Sequence, residues 1–125
     1  MLRKNLFSYP IAMISDVVPS APRGFSVMTI ENSSSTLLAS WMEPEMINGI
    51  LLSYTVRCVS TGDLVGEMHN FTISNTFSNT ELGGLTPYTD YSCTISATTG
   101  AGEGNSSDAQ TARTDEDGMK IYIIW

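Results

Sequence analysis

Positive charge is scarce in this chain. Six lysines and arginines stand against 13 aspartates and glutamates in 125 residues, a formal net charge of −7. A surface of that sign does not neutralise phosphates, which argues against nucleic acid as a partner and against electrostatic docking on anionic membranes. Histidine is scarcer still, with His69 the single one. It lies in the polar stretch Glu67-Met68-His69-Asn70 with no nucleophile signature beside it, and reads as a surface histidine. There are two cysteines, Cys58 and Cys93, and neither a Cys-x-x-Cys nor a His-x-x-x-His spacing, so a zinc centre would need carboxylates for its other ligands. Gly100-Ala101-Gly102-Glu103-Gly104 is followed by no Lys-Ser/Thr, which excludes a phosphate loop. No apolar run approaches the roughly 18 residues that span a bilayer, and no stretch of about 10 residues carries a helical apolar stripe. These absences leave no catalytic residue, metal ligand or cofactor site to nominate, and they point away from a self-contained enzyme.

What is present is a single domain's worth of chain, 42% hydrophobic and only 15% charged, with serine and threonine supplying much of the polarity. The ends differ from the middle. Residues 1–17 hold Arg3-Lys4-Asn5 and a short apolar run from Leu6 to Ile14, broken by Ser8 and Pro10; they read as a poorly ordered leader or upstream linker, with a signal peptide the less favoured alternative. Residues 115–125 read as an acidic linker, Asp115-Glu116-Asp117, and an apolar tail. Between them the period is two. Ile50, Leu52, Tyr54, Val56 and Cys58 alternate with Leu51, Ser53, Thr55, Arg57 and Val59, and Tyr91, Cys93, Ile95 and Ala97 alternate with Asp90, Ser92, Thr94, Ser96 and Thr98. That is the pattern of strands with one face in a core and one in water. Further strands are expected at 24–30, 36–41, 68–73, 77–82 and 107–114. Proline and glycine fall between them, at Pro19, Pro22, Glu43-Pro44-Glu45, Asn48-Gly49, Thr61-Gly62-Asp63, Gly83-Gly84 and Pro87. Seven short strands in about 90 residues predict an all-β sandwich of the immunoglobulin-like kind.

The segment 18–114 resembles a fibronectin type III domain. Leu37-Leu38-Ala39-Ser40-Trp41 followed by Pro44, then Asn48-Gly49 leading through Leu51 to Tyr54 and Val56, are similar to the family's second and third strands. Leu85-Thr86-Pro87-Tyr88-Thr89-Asp90-Tyr91 resembles its Leu-x-Pro-x-Thr-x-Tyr motif, and Ala97, Gly102, Gly104 and Ser107 fit its closing pattern, with Thr99 where the family often has Asn. The resemblance implies fold roles for Trp41, Tyr54, Leu85, Pro87 and Tyr91, with Tyr91 forming a tyrosine corner whose hydroxyl bonds to backbone a few residues upstream. It makes the strands of Cys58 and Cys93 neighbours in one sheet. A bridge then needs Cα atoms within about 7 Å and converging Cβ vectors; the alternative, two buried thiols acting as small hydrophobes, is the one favoured here. The Trp41 ring N–H is expected to find a partner.

The implied class is a non-catalytic recognition or spacer module of a larger cell-surface or secreted protein, with neighbouring modules and a protein partner. The alternatives are an accessory module of a secreted carbohydrate-active enzyme and an intracellular scaffold domain. Receptor-type tyrosine phosphatases carry similar modules, but no Cys-x5-Arg loop is present, nor are Arg-Gly-Asp or Trp-Ser-x-Trp-Ser. Two loops are the candidate partner-binding surface: Met42, Glu43, Glu45, Met46 and Ile47 in the first, Ala101, Glu103 and Asn105 in the second. Sequons at Asn32, Asn70 and Asn105 are candidate N-glycosylation sites and favour an extracellular setting. Trp41 is the apolar body expected at the centre. Trp41→Ala is expected to cost about 3–5 kcal/mol, a large share of a small domain's stability. A denaturant melt showing a much smaller loss would displace Trp41 from the core.

Overall fold

Two strands carry most of the order, and their sequences show why. In β6 (Asp90–Thr99) the residues Tyr91, Cys93, Ile95 and Ala97 are all fully buried. In β3 (Ser53–Ser60) the same holds for Tyr54, Val56 and Cys58. Strands that bury one face completely have their register set by that face, and these two pair antiparallel from Ser53–Thr98 to Ser60–Tyr91. Around this pair the computed structural model, which describes residues 17–62 and 66–116, builds two sheets. The strands are β1 (Arg23–Thr29), β2 (Leu37–Met42), β3, β4 (Met68–Ser74), β5 (Asn79–Leu82), β6, β7 (Gly102–Glu103) and β8 (Gln110–Arg113). One sheet has the order β1-β2-β5; the other runs β4-β3-β6, with β7 and β8 both pairing to β6. All pairings are antiparallel.

The two inner faces interdigitate. Phe25, Val27, Leu37, Ala39, Trp41 and Leu82 come from the first sheet, and Tyr54, Val56, Ile73, Tyr91, Ile95 and Ala97 from the second. Trp41 and Tyr54 meet across the gap with ring centroids 5.2 Å apart and a tilt of 60°, a favourable aromatic arrangement. The Trp41 ring N–H, for which a partner was expected, closes no hydrogen bond of ordinary geometry; it acts on the Tyr54 hydroxyl beside it, where burial raises the pKa and the ring N–H draws it down. Leu85 is buried at one end of the core. Beside it the Tyr91 hydroxyl accepts a hydrogen bond from the Thr86 backbone N–H at 2.8 Å and donates one to Glu67 Oε2 at 3.0 Å. Pro87 holds the same turn, its carbonyl accepting from the Thr89 hydroxyl at 2.8 Å.

Four expectations need correction. First, Ile50 and Leu52 do not continue the inward face of β3. They are exposed and Leu51 is buried; the strand proper starts at Ser53, and with Leu51 and Tyr54 both buried three residues apart the alternation changes phase at Leu52–Ser53. Second, Cys58 and Cys93 are not free thiols. They lie directly opposite each other in the β3–β6 ladder, Cα atoms 4.1 Å apart, and form a disulfide. With no register offset the Cβ vectors converge, which meets the geometric demand. Third, His69 is not an ordinary surface histidine. It is paired with Cys58 and so shares the inner face, where it sits edge-on to the Tyr91 ring (5.8 Å) and within 2.6 Å of Glu67 Oε2. Fourth, the glycine-rich stretch holds the short strand β7, while the expected strands at 77–82 and 107–114 begin only at Asn79 and Gln110. A turn closed by Phe77 N–H on the Ser74 carbonyl occupies the first start, and the Ser107 hydroxyl takes the ladder bond of Ile95 N–H at the second.

The bridge closes a loop with a sequence separation of 35. Replacing both cysteines by alanine is therefore expected to lower stability by about 2–4 kcal/mol through the freed unfolded chain. Circular dichroism should be unchanged and the urea midpoint lowered; an unshifted midpoint would contradict this.

Candidate functional site

The two candidate loops converge at one pole of the sandwich because a third segment stitches them together. Residues 17–22 cross this pole before β1. Ser20 N–H donates to the Met46 carbonyl at 2.8 Å, Met46 N–H returns a bond to the Ser20 hydroxyl at 3.0 Å, and the Asn48 carboxamide donates to the Val18 carbonyl at 3.0 Å. On the other side Asn105 N–H donates to the Pro19 carbonyl at 3.2 Å. Gly104 permits this crossing, since a Cβ there would come within 2.2 Å of the Pro19 carbonyl oxygen. The first loop is thereby braced at three points and Pro44 is buried beneath it.

Five large apolar side chains stay exposed around this pole. Met42, Met46, Ile50 and Leu52 are 53%, 58%, 63% and 54% exposed, and Phe77, on the adjacent β4–β5 turn, 57%. Asn75 ties that turn to the pole by donating to the Leu51 carbonyl at 2.7 Å. Glu43 and Glu45 are exposed among them and Ile47 is half-buried against the core. Burial first, and then the Glu43 charge, push the pKa of the Tyr54 hydroxyl up. Ile50, Leu52 and Phe77 were not among the residues nominated from sequence. The signal for the first two was the family-like spacing itself, which puts Leu51, and not its neighbours, at the inward position.

The second loop contributes less. Ala101 is half-buried, its N–H donating to the Thr99 hydroxyl at 3.2 Å, and Asn105 is exposed. Glu103 belongs to β7 and faces the outer side of the second sheet. Its carboxylate forms a two-point ion pair with Arg57 of β3 (2.5 and 3.0 Å) and accepts a bond from the Ser96 hydroxyl. The Arg57 bonds, then the Ser96 hydroxyl, hold the Glu103 carboxyl down at about 2. The sequons lie apart. Asn105 is at the loop pole and Asn70 on β4. Asn32 is at the opposite pole, in a left-handed turn (φ 67°) with its N–H on the Asp115 carboxylate at 2.8 Å. Among the described residues no group of three or more His, Cys, Asp or Glu is placed to hold a metal ion, and no helix is long and apolar enough to cross a membrane.

The family model for the fibronectin type III domain matches residues 20–113. The chain belongs to the fibronectin type III family. Its fibronectin type III domain is similar to part of tyrosine-protein phosphatase 99A of Drosophila melanogaster, 34% identical over 120 residues that cover 92% of this chain and 9% of that protein. It is also similar to part of the cell adhesion molecule DSCAM of Gallus gallus, 39% identical over 105 residues, covering 80% of this chain and 5% of that one. The chain thus spans a tenth or less of the length of these curated relatives. The crystal structure of the FN5 domain of Drosophila Lar superposes with a TM-score of 0.66 at 24% identity, over 80% of this chain and all of that one; this likeness speaks to the fold.

The Glu103 pair carries a pH signature. A carboxyl whose folded pKa is depressed stabilises the fold above its unfolded pKa, and that contribution disappears as pH falls through the folded value. Stability attributable to Glu103 is therefore expected to be complete above about pH 4.5 and to fade towards pH 2. Thermal melts between these values should lose less for Glu103→Gln than for the unaltered chain; parallel pH profiles would contradict the pairing.

Proposed function

We propose that this fibronectin type III domain is a non-catalytic module of a larger cell-surface protein, and that its loop pole is a protein-recognition surface. The domain presents its outer surface through braced loops, and rigid scaffolds with exposed loops are where recognition concentrates. One observation carries the reading: Met42, Met46, Ile50, Leu52 and Phe77 remain exposed together at one pole, next to Glu43 and Glu45. Scattered apolar residues on a surface need no explanation, but a cluster with a polar rim marks interaction sites. Exposed methionine adds a surface that adapts to its partner's shape. The resemblance to part of a cell adhesion molecule, beside that to part of a tyrosine-protein phosphatase, supports an extracellular setting, with residues 18–114 as the module and its neighbours in a longer chain on either side. Any phosphatase chemistry in such a parent would reside outside these residues. The sequons at Asn32, Asn70 and Asn105 fit the same compartment.

The test uses the secreted chain, multimerised and screened against an array of cell-surface ectodomains. For any binder, the double variant Met46→Ser/Ile50→Ser is expected to weaken affinity by about tenfold or more, the scale of losing central apolar contacts. Met28→Ser, which alters an exposed side chain near the far end of β1, is expected to bind as the unaltered chain does. Binding that survives the double variant would reject the pole, and the absence of any binder would favour the spacer role.

A further inference from the structure

The outer face of the β4-β3-β6 sheet holds one feature that recognition at the loop pole does not use. Arg57, Cys58, Val59, Met68, Ser92 and Thr94 line a shallow depression of 160 Å³. Met68 is 65% exposed there and lies opposite Val59 in the β3–β4 ladder. Two residues further along β4, on the same face by strand alternation, is Asn70, opposite Arg57. Asn70 is exposed, its carboxamide makes no hydrogen bond among the described residues, and it heads the sequon Asn70-Phe71-Thr72. Next-nearest residues in a strand stand about 7 Å apart, within reach of the first sugars of an N-linked glycan.

We infer that Asn70 is an N-glycosylation site whose first sugars seat in the depression formed by Met68, Val59 and Arg57. This rests on the cell-surface reading above. The modification requires a lipid-pyrophosphate-linked oligosaccharide as donor. The Asn70 side-chain nitrogen forms a bond to the anomeric carbon of the first sugar. The bond from that carbon to the pyrophosphate oxygen breaks, the lipid pyrophosphate leaves with the electron pair, and the nitrogen gives up one proton to a base; nothing is oxidised or reduced. The seat suits an N-acetylated pyranose. Met68 and Val59 offer apolar contact to the ring face and acetyl methyl, while Ser92 and Thr94 offer hydroxyls. Arg57, which directs two of its nitrogens to Glu103, has further N–H donors in its fork. The neighbourhoods of the other sequons differ: Asn32 is next to the Asp115 carboxylate and Asn105 next to Pro19.

The test is a coupling cycle on the whole chain secreted from eukaryotic cells behind a supplied signal peptide. Glycopeptide mapping is expected to find glycan on Asn70. Trimming to a single N-acetylglucosamine is expected to leave Tm unchanged, whereas Asn70→Gln lowers it by a few degrees. In a Met68→Ser background, which alters an exposed side chain and should fold, that loss shrinks, the mark of two groups in contact. A nuclear Overhauser contact between the Met68 methyl and the sugar N-acetyl methyl gives a second readout in the unaltered sequence. Glycan on Asn70 with equal Tm losses in both backgrounds and no such contact overturns the seat. Glycan on Asn32 or Asn105 but not Asn70 overturns the site and leaves the cell-surface reading standing. Glycan on none of the three overturns the site and counts against that reading as well.

Discussion

The pairing of β3 with β6 is the constraint from which the other arrangements follow. Its register runs without a slip from Ser53–Thr98 to Ser60–Tyr91. A shift of β3 by one residue against β6 would turn Tyr54, Val56 and Cys58 from core to solvent, so the buried face and the ladder enforce each other. The same register places Cys58 against Cys93 and lets a bond form without backbone movement. It also places Arg57 on the outer face near β7, where Glu103 reaches it. One alignment of two strands therefore sets the core, the crosslink and one of the charge pairs of the second sheet.

Both poles are pinned by backbone and side-chain hydrogen bonds. At the loop pole a segment before the first strand binds both candidate loops, with Gly104 clearing its path under Pro19. At the opposite pole side chains reinforce the backbone bonds from Tyr88 N–H to the Asp115 carbonyl and from Thr114 N–H to the Thr89 carbonyl. The Thr114 hydroxyl accepts from Thr89 N–H at 2.9 Å and donates to the Thr86 carbonyl at 2.7 Å, locking the outgoing chain to the tyrosine-corner turn. Glu67 links that turn to β4 through Tyr91, Thr86 and His69, and its carboxyl is held below the usual range, most of all by the His69 bond. Arg113 pairs with Asp90 while resting over the Tyr88 ring at 4.7 Å. An exposed pole with fixed loops suits recognition, and a heavily bonded one suits a junction.

Much of this was legible in the sequence because strand alternation is a local signal. The inward faces of β6 and of β3 from Tyr54 onward, and the burial of Trp41, Leu85 and Tyr91, could be read without a structure. What could not be read depends on alignment between distant residues. Whether Cys58 and Cys93 face or miss each other is a matter of one residue of offset. Arg57 and Glu103 are 46 residues apart, and nothing local in Gly102-Glu103-Gly104 announces a strand. Ile50 and Leu52 were misread because their apolar character continues the alternation across Leu52–Ser53, where its phase resets. His69 was misread because β4 is an edge strand, where an inward position is only partly covered and a polar residue costs little. Of the candidate site, the first loop's position was legible, but its convergence with the leading segment was not.

The incoming segment is fixed at one pole and the outgoing one at the other, so tension along a string of such modules acts along the strands. Interstrand hydrogen bonds lie across that direction and are loaded together in shear. The Cys58–Cys93 bond changes what happens once they yield. The chain it encloses, a separation of 35 residues, stays closed under load. Extended chain spans about 3.4 Å per residue, so the bridged module gives up roughly 120 Å of its reach. Pulled to its limit, an oxidised module is a shorter tether than a reduced one.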